Sequence, residues 1–181
     1  QAGGRCRSYF DPTIGSVIDN GNHLVLSGNR AVMAYLARIG AQKGLVGPEH
    51  AVVDFVDLRD DKSWRLQLSD GIIPAWVFSD KRRVPGTSVK DYAAYAPLLW
   101  ANLRQTIGQA VKDRGVLWRR LMHPFLLSAL NTAPEEASAA LAGSVLRQSL
   151  VLGGMASRPR IAHPTLAAAF VDPALAYLES K

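Results

Sequence analysis

The sequence predicts a mixed α/β chain of the α+β kind, with a small antiparallel sheet and several helices. Three observations carry this reading. Short β-like runs bounded by Asn-Gly and Asp-Gly turns occupy the first half of the chain. Apolar residues recur at helical spacing after Pro85-Gly86. A Gly-Gly-Arg segment, Gly3, Gly4 and Arg5, stands next to the first of those runs. A glycine pair lets the backbone approach a bulky anion closely, and a neighbouring guanidinium can hold a phosphate through two hydrogen bonds.

Each element has its own local cause. Ser8-Tyr9-Phe10 ends at Asp11-Pro12, and Ser16-Val17-Ile18 leads into the Asp19-Asn20-Gly21 turn. Ser27-Gly28-Asn29 precedes Ala31, Tyr35, Leu36 and Ile39, with Gly40 closing the pattern, so a short amphipathic helix begins near Arg30. Three β-like runs follow, Ala51 to Leu58, Trp64 to Leu68 and Ile72 to Phe78, separated by Asp60-Asp61 and Asp70-Gly71. Tyr92, Tyr95, Leu98, Leu99, Leu103 and Ile107 then predict about sixty residues of helical structure. Thr132-Ala133-Pro134-Glu135 has the form of a capping box and should launch a helix that ends at Gly153-Gly154. A last helix starts at Asp172-Pro173.

At 181 residues and 48% hydrophobic content, the chain can form one sizeable core or pieces of two domains. The single cysteine, Cys6, excludes an internal disulfide framework and a cysteine-based zinc site, and reads as a small buried hydrophobe. The four histidines, His23, His50, His123 and His163, are widely spaced and form no metal-binding pair, so no metal is expected. A net charge of +6 suits an anionic partner. The basic runs Lys81-Arg82-Arg83 and Arg119-Arg120 are short, separate and not interleaved with aromatics, which argues against nucleic acid and leaves a solvated face or a membrane surface. The chain opens on Gln1, and no strand or G-x-G-x-x-G turn precedes the glycine pair, so the chain is expected to be an internal fragment.

Taken together, GGRCRSYFD, DNGNHLVLSGN, RVPG, HPFLLSALNTAPEEAS and FVDPALAYLE resemble the flavin-dependent amine oxidase and phytoene desaturase superfamily, in particular its squalene-associated branch. The resemblance spans nearly the whole chain and implies less than half of such an enzyme. It implies a partial Rossmann-like FAD-binding domain in residues 1–41, an inserted substrate domain in 42–158, and a return segment in 159–181. The implied cofactor is FAD, with Gly3, Gly4 and Arg5 along its pyrophosphate and ribose and Asn20, Gly21, Asn22 and His23 near the isoalloxazine ring. Arg5 has an alternative role as a salt-bridge residue closing its turn, and His23 as a histidine paired with backbone.

The implied activity is reductive removal of the hydroxyl of hydroxysqualene to give squalene, on the route to hopanoid-type lipids. The fragment by itself is expected to be inactive. The alternatives are a carotenoid-type desaturase and a non-catalytic lipid-binding fragment. His23 and His123 are the candidate proton donors, because imidazole titrates near neutral pH. Phe125, Leu127 and Asn131 are candidate substrate contacts, although Phe125 and Leu127 would look the same in an ordinary core and Asn131 could simply end a helix. The expected partner is an isoprenoid lipid, and the expected location is cytoplasmic, with peripheral attachment to the inner membrane as an option.

Overall fold

Ser8–Asp11 and Ser16–Asp19 flank a turn whose chemistry is local: the Asp11 carboxylate accepts from Thr13 N at 2.8 Å, and Gly15 N donates to the Asp11 carbonyl at 2.9 Å. In the computed structural model, which describes residues 2–112 and 114–181, these two strands, β1 and β2, form an antiparallel hairpin running from Ser8↔Asp19 to Asp11↔Ser16. The chain divides into two compact units. One comprises the described residues through Glu49 together with Arg158–Lys181, and the other comprises His50–Ser157.

In the first unit, β7 (Pro159–Ala162) pairs antiparallel with both β3 (Val25–Leu26) and β4 (Leu45–Val46), giving the order β3-β7-β4. Helix α1 (Arg30–Arg38) starts where Asn29 caps it, its Oδ1 accepting from Val32 N at 3.2 Å. A π-helical turn, Ala167–Val171, runs directly into α6 (Asp172–Glu179). Ala162, Leu166 and Ala169 form a small core with Cys6, Leu45 and Phe170, and Tyr35 Oη closes over it by donating to the Phe170 carbonyl at 2.7 Å.

The larger core lies in the second unit. β5 (Val52–Asp57) and β6 (Lys62–Gln67) pair antiparallel, with the Phe55 and Trp64 rings stacked across the pair at 5.4 Å. They are followed by α2 (Val89–Ala93), α3 (Ile107–Ala110), α4 (His123–Leu130) and α5 (Ala139–Leu146), with shorter 3₁₀ and π segments between them. Leu98, Ile107, Leu117, Leu121 and Leu126 are fully buried. Gly143 of α5 lies against the Leu98 carbonyl, so closely that a Cβ at this position would overlap the backbone oxygen.

The structure departs from the sequence expectations at three places. Ile72 to Phe78 is not a strand: Pro74 cannot donate to a ladder, and Ala75–Phe78 form a 3₁₀ turn that buries both Trp76 and Val77, neighbours that a strand would send to opposite faces. The long helical stretch is broken near Asn102, and α3 restarts at its own capping box of Thr106 and Gln109. Thr132 caps no helix. Ile107 N and Gly108 N take the carbonyls of Ala137 and Glu135, and α5 begins later, with the Ser138 hydroxyl accepting from Leu141 N at 3.4 Å.

Candidate cofactor cradle and apolar cavity

The β1–β2 register carries the two glycine turns to the same end of the hairpin. Asn20 N donates to the Arg7 carbonyl at 3.0 Å, and Asn20 Nδ2 donates to the Arg5 carbonyl at 3.2 Å. Gly3, Gly4 and Gly21 all have positive φ, of 83°, 55° and 118°. Gly3 is needed for packing, because a Cβ there would meet the Cys6 carbonyl and Val171. Gly4 has open space where its side chain would be. The Arg5 side chain is exposed and forms no ion pair with a described carboxylate, so a salt-bridge role in closing its turn finds no partner among the described residues.

Sequence reasoning passed over Asp19, the hub of this end of the hairpin. Its Oδ1 accepts from Ser8 Oγ at 2.6 Å and from Leu166 N at 2.9 Å, and its Oδ2 accepts from Asn22 Nδ2 at 3.0 Å. Asn22 Nδ2 also reaches the Ala162 carbonyl at 3.0 Å. Ser8 and Asp19 face each other across the hairpin, a register that the two short runs do not set by themselves. Burial first, and then the Asp19 carboxylate, push the Cys6 thiol above its ordinary pKa, so it carries little thiolate character. His23 is exposed, with its imidazole beside Gly21, and makes no hydrogen bond with a described residue.

The remaining candidates lie in the second unit. His123 begins α4 and meets the Trp118 ring edge-on at 5.6 Å. Phe125 packs against the core, Leu127 is exposed, and Asn131, at φ 51°, is the left-handed cap that ends α4. None of these four residues lines the unit's apolar cavity. That cavity, of about 220 Å³, is walled by Trp76, Val77, Tyr92, Tyr95, Leu117, Leu121, Met122 and Leu146. Its lining comes from four separate stretches of chain, which is why no single apolar run announced it.

The basic runs hold loops together. Arg82 Nη2 donates to the Gln67 carbonyl at 3.0 Å; Arg83 bonds the Thr87 carbonyl and the Asp80 carboxylate, both at 2.7 Å. Arg120, with its side chain only 10% exposed, pairs with Asp57 at 3.4 Å and Asp60 at 2.7 Å, and lies over the Trp64 ring. Among the described residues, no helix is long and apolar enough to cross a membrane, and no group of three His, Cys, Asp or Glu is placed to hold a metal ion.

Residues 1–175 match the flavin containing amine oxidoreductase family, and the chain belongs to that family. Among curated proteins it is similar to hydroxysqualene dehydroxylases. It is 52% identical over 181 residues to that of Rhodopseudomonas palustris, 49% identical over 181 residues to that of Sinorhizobium fredii, and 48% identical over 180 residues to that of Zymomonas mobilis. These alignments cover 100%, 100% and 99% of the chain but only 43%, 43% and 44% of the relatives, so the chain spans less than half the length of the curated relatives it matches.

Proposed function

We propose that this chain is part of an FAD-dependent oxidoreductase that replaces the hydroxyl of hydroxysqualene with hydrogen to give squalene. The observation that carries the reading is the pairing of Arg5 to Arg7 with Asn20, which holds the Gly3-Gly4-Arg5 turn beside the Asn20 to His23 turn. The residues present fit a dinucleotide. Open space over Gly4 admits a pyrophosphate to the backbone, and the exposed Arg5 guanidinium offers it a charge-assisted donor. Gly3, Gly4 and Arg5 would hold the pyrophosphate and ribose, with Asn20, Gly21, Asn22 and His23 toward the ring. Residues 1–41 and 159–181 belong in this reading to a Rossmann-like domain, and 42–158 to the substrate domain.

When bound, reduced FAD supplies the hydride that takes the place of the hydroxyl. The C–O bond breaks, the hydroxyl takes up one proton and leaves as water, and the hydride fills the vacated bond to carbon. The protein's own contribution is to keep water from the reacting carbon, to orient it and to deliver that proton; His23, exposed at the cradle, is the residue assigned to the proton. Exposed Ile72, Ile73, Phe78, Trp100 and Leu103 support delivery of the substrate from a lipid phase. The test is the full-length protein, assayed anaerobically with FAD, a chemical reductant and hydroxysqualene. Squalene should accumulate in proportion to bound flavin. A protein that retains no flavin, or a flavoprotein that leaves hydroxysqualene intact, overturns the reading.

A further inference from the structure

Four local structures each present an apolar face to the cavity of the His50–Ser157 unit: the 3₁₀ turn Ala75–Phe78, the stretch from α2 to Trp100, the π-helical turn Trp118–Met122, and the end of α5 with the π-helical turn Arg147–Val151. π-helical turns are rare and concentrate at functional sites, and two of them contribute wall residues here, Leu121 and Met122 from one, Leu150 and Val151 from the other. The polar end of Tyr92 is committed elsewhere: its hydroxyl accepts from Val84 N at 2.9 Å and lies 3.3 Å from Thr87 Oγ1, and neither residue lines the cavity. Ile72 does line the cavity and is 73% exposed, so the cavity opens at the surface of the unit there.

Size restricts the ligand further. An apolar cavity of about 150 Å³ accommodates a benzene ring, so one of about 220 Å³ takes roughly one or two isoprene units and not a whole triterpene chain. We infer that this cavity receives one end of the substrate's hydrocarbon chain. The inference rests on the proposed function for the identity of the substrate. The pocket itself is defined by its walls, and it binds a short branched hydrocarbon whether or not the chemistry follows.

Ala96 lines the cavity and is half-buried, so Ala96→Phe fills it from the rim without inserting a ring into the closed core. In the full-length protein, the short isoprenoid myrcene should bind saturably and perturb the tryptophan fluorescence, because Trp76 forms part of the wall. In Ala96→Phe, myrcene affinity should fall on the order of tenfold or more, and KM for hydroxysqualene should rise similarly while the retained flavin is unchanged. Should Ala96→Phe fold poorly, Leu150→Ala enlarges the same cavity and should shift preference from myrcene toward the longer farnesene. Failure of myrcene to bind the wild type, equal binding by Ala96→Phe, or an unaltered preference in Leu150→Ala overturns the inference. Conversion of hydroxysqualene with no effect of either variant would leave the enzyme reading standing and remove the pocket. The expected binding pattern without conversion would do the reverse.

Discussion

The Asn20 side chain donates to the Arg5 carbonyl at 3.2 Å, so the polar residue of one glycine turn fixes the backbone of the other. That bond adds to the one from Asn20 N to the Arg7 carbonyl at 3.0 Å in setting the spacing of the two turns at the open end of the hairpin. Asn20→Ala should therefore weaken FAD binding by the full-length protein by about 1 kcal/mol, the net worth of one hydrogen bond, with little change in melting temperature. Titration with FAD followed by flavin fluorescence measures it. Unchanged affinity would remove Asn20 from the cradle.

Arg5 makes a sharper test, because its guanidinium pairs with no described carboxylate. Arg5→Ala should cost about 1.5 to 3 kcal/mol of FAD affinity, as expected for a charge-assisted bond to phosphate, and Arg5→Lys should recover only part of it. A loss of folding stability with flavin affinity intact would assign Arg5 to its turn instead.

Most of the hairpin and of α1 was legible in the sequence because their causes are local. Asp11-Pro12 and Asn20-Gly21 set the strand ends, and Asn29 caps α1 within three residues of the bond it accepts. Thr132 misled because the competing bonds are distant: the carbonyls of Glu135 and Ala137 go to Gly108 and Ile107. Asp19 was hidden for the same reason, since Leu166 N, one of its donors, lies 147 residues away. The basic runs show the limit of charge counting. Five cations in two clusters left a solvated face or a membrane surface open, and Arg83 and Arg120 each sit on a carboxylate and a backbone carbonyl.

Close packing of α5 depends on one glycine. Because a Cβ at Gly143 would overlap the Leu98 carbonyl, Gly143→Ala must push α5 away from the Ala96–Trp100 segment, and both line or adjoin the apolar cavity. The expected loss is about 3 kcal/mol, at the upper end of the usual range for overpacking. Gly71→Ala is the matched control: nothing lies within 4 Å of its would-be Cβ, so it should stay within about 0.5 kcal/mol of wild type. Denaturant unfolding of the full-length protein compares them, and equal stability of the two variants would refute the contact.

The ion pairs of the β5–β6 hairpin predict how stability responds to acid. The Arg65 guanidinium, bonded to Asp54 at 2.7 Å, holds that carboxyl below its ordinary pKa. Asp57 is held down first by the backbone N–H of Arg59 and then by the Arg120 guanidinium. A carboxyl whose folded-state pKa is depressed contributes stability above its unfolded value, near about 4, and loses that contribution as pH falls through the folded value. Arg120→Met keeps part of the aliphatic stem but removes the guanidinium, which pairs with Asp57 and Asp60 and lies over the Trp64 ring, so at neutral pH it should melt below wild type. As pH falls from about 4 through the depressed folded-state value of Asp57, that carboxyl becomes neutral in both proteins and the difference in melting temperature should shrink. A difference that stays constant from about pH 7 to about pH 3 would mean that Arg120 acts through packing and its bond to the Pro85 carbonyl, with no contribution from its carboxylate partners.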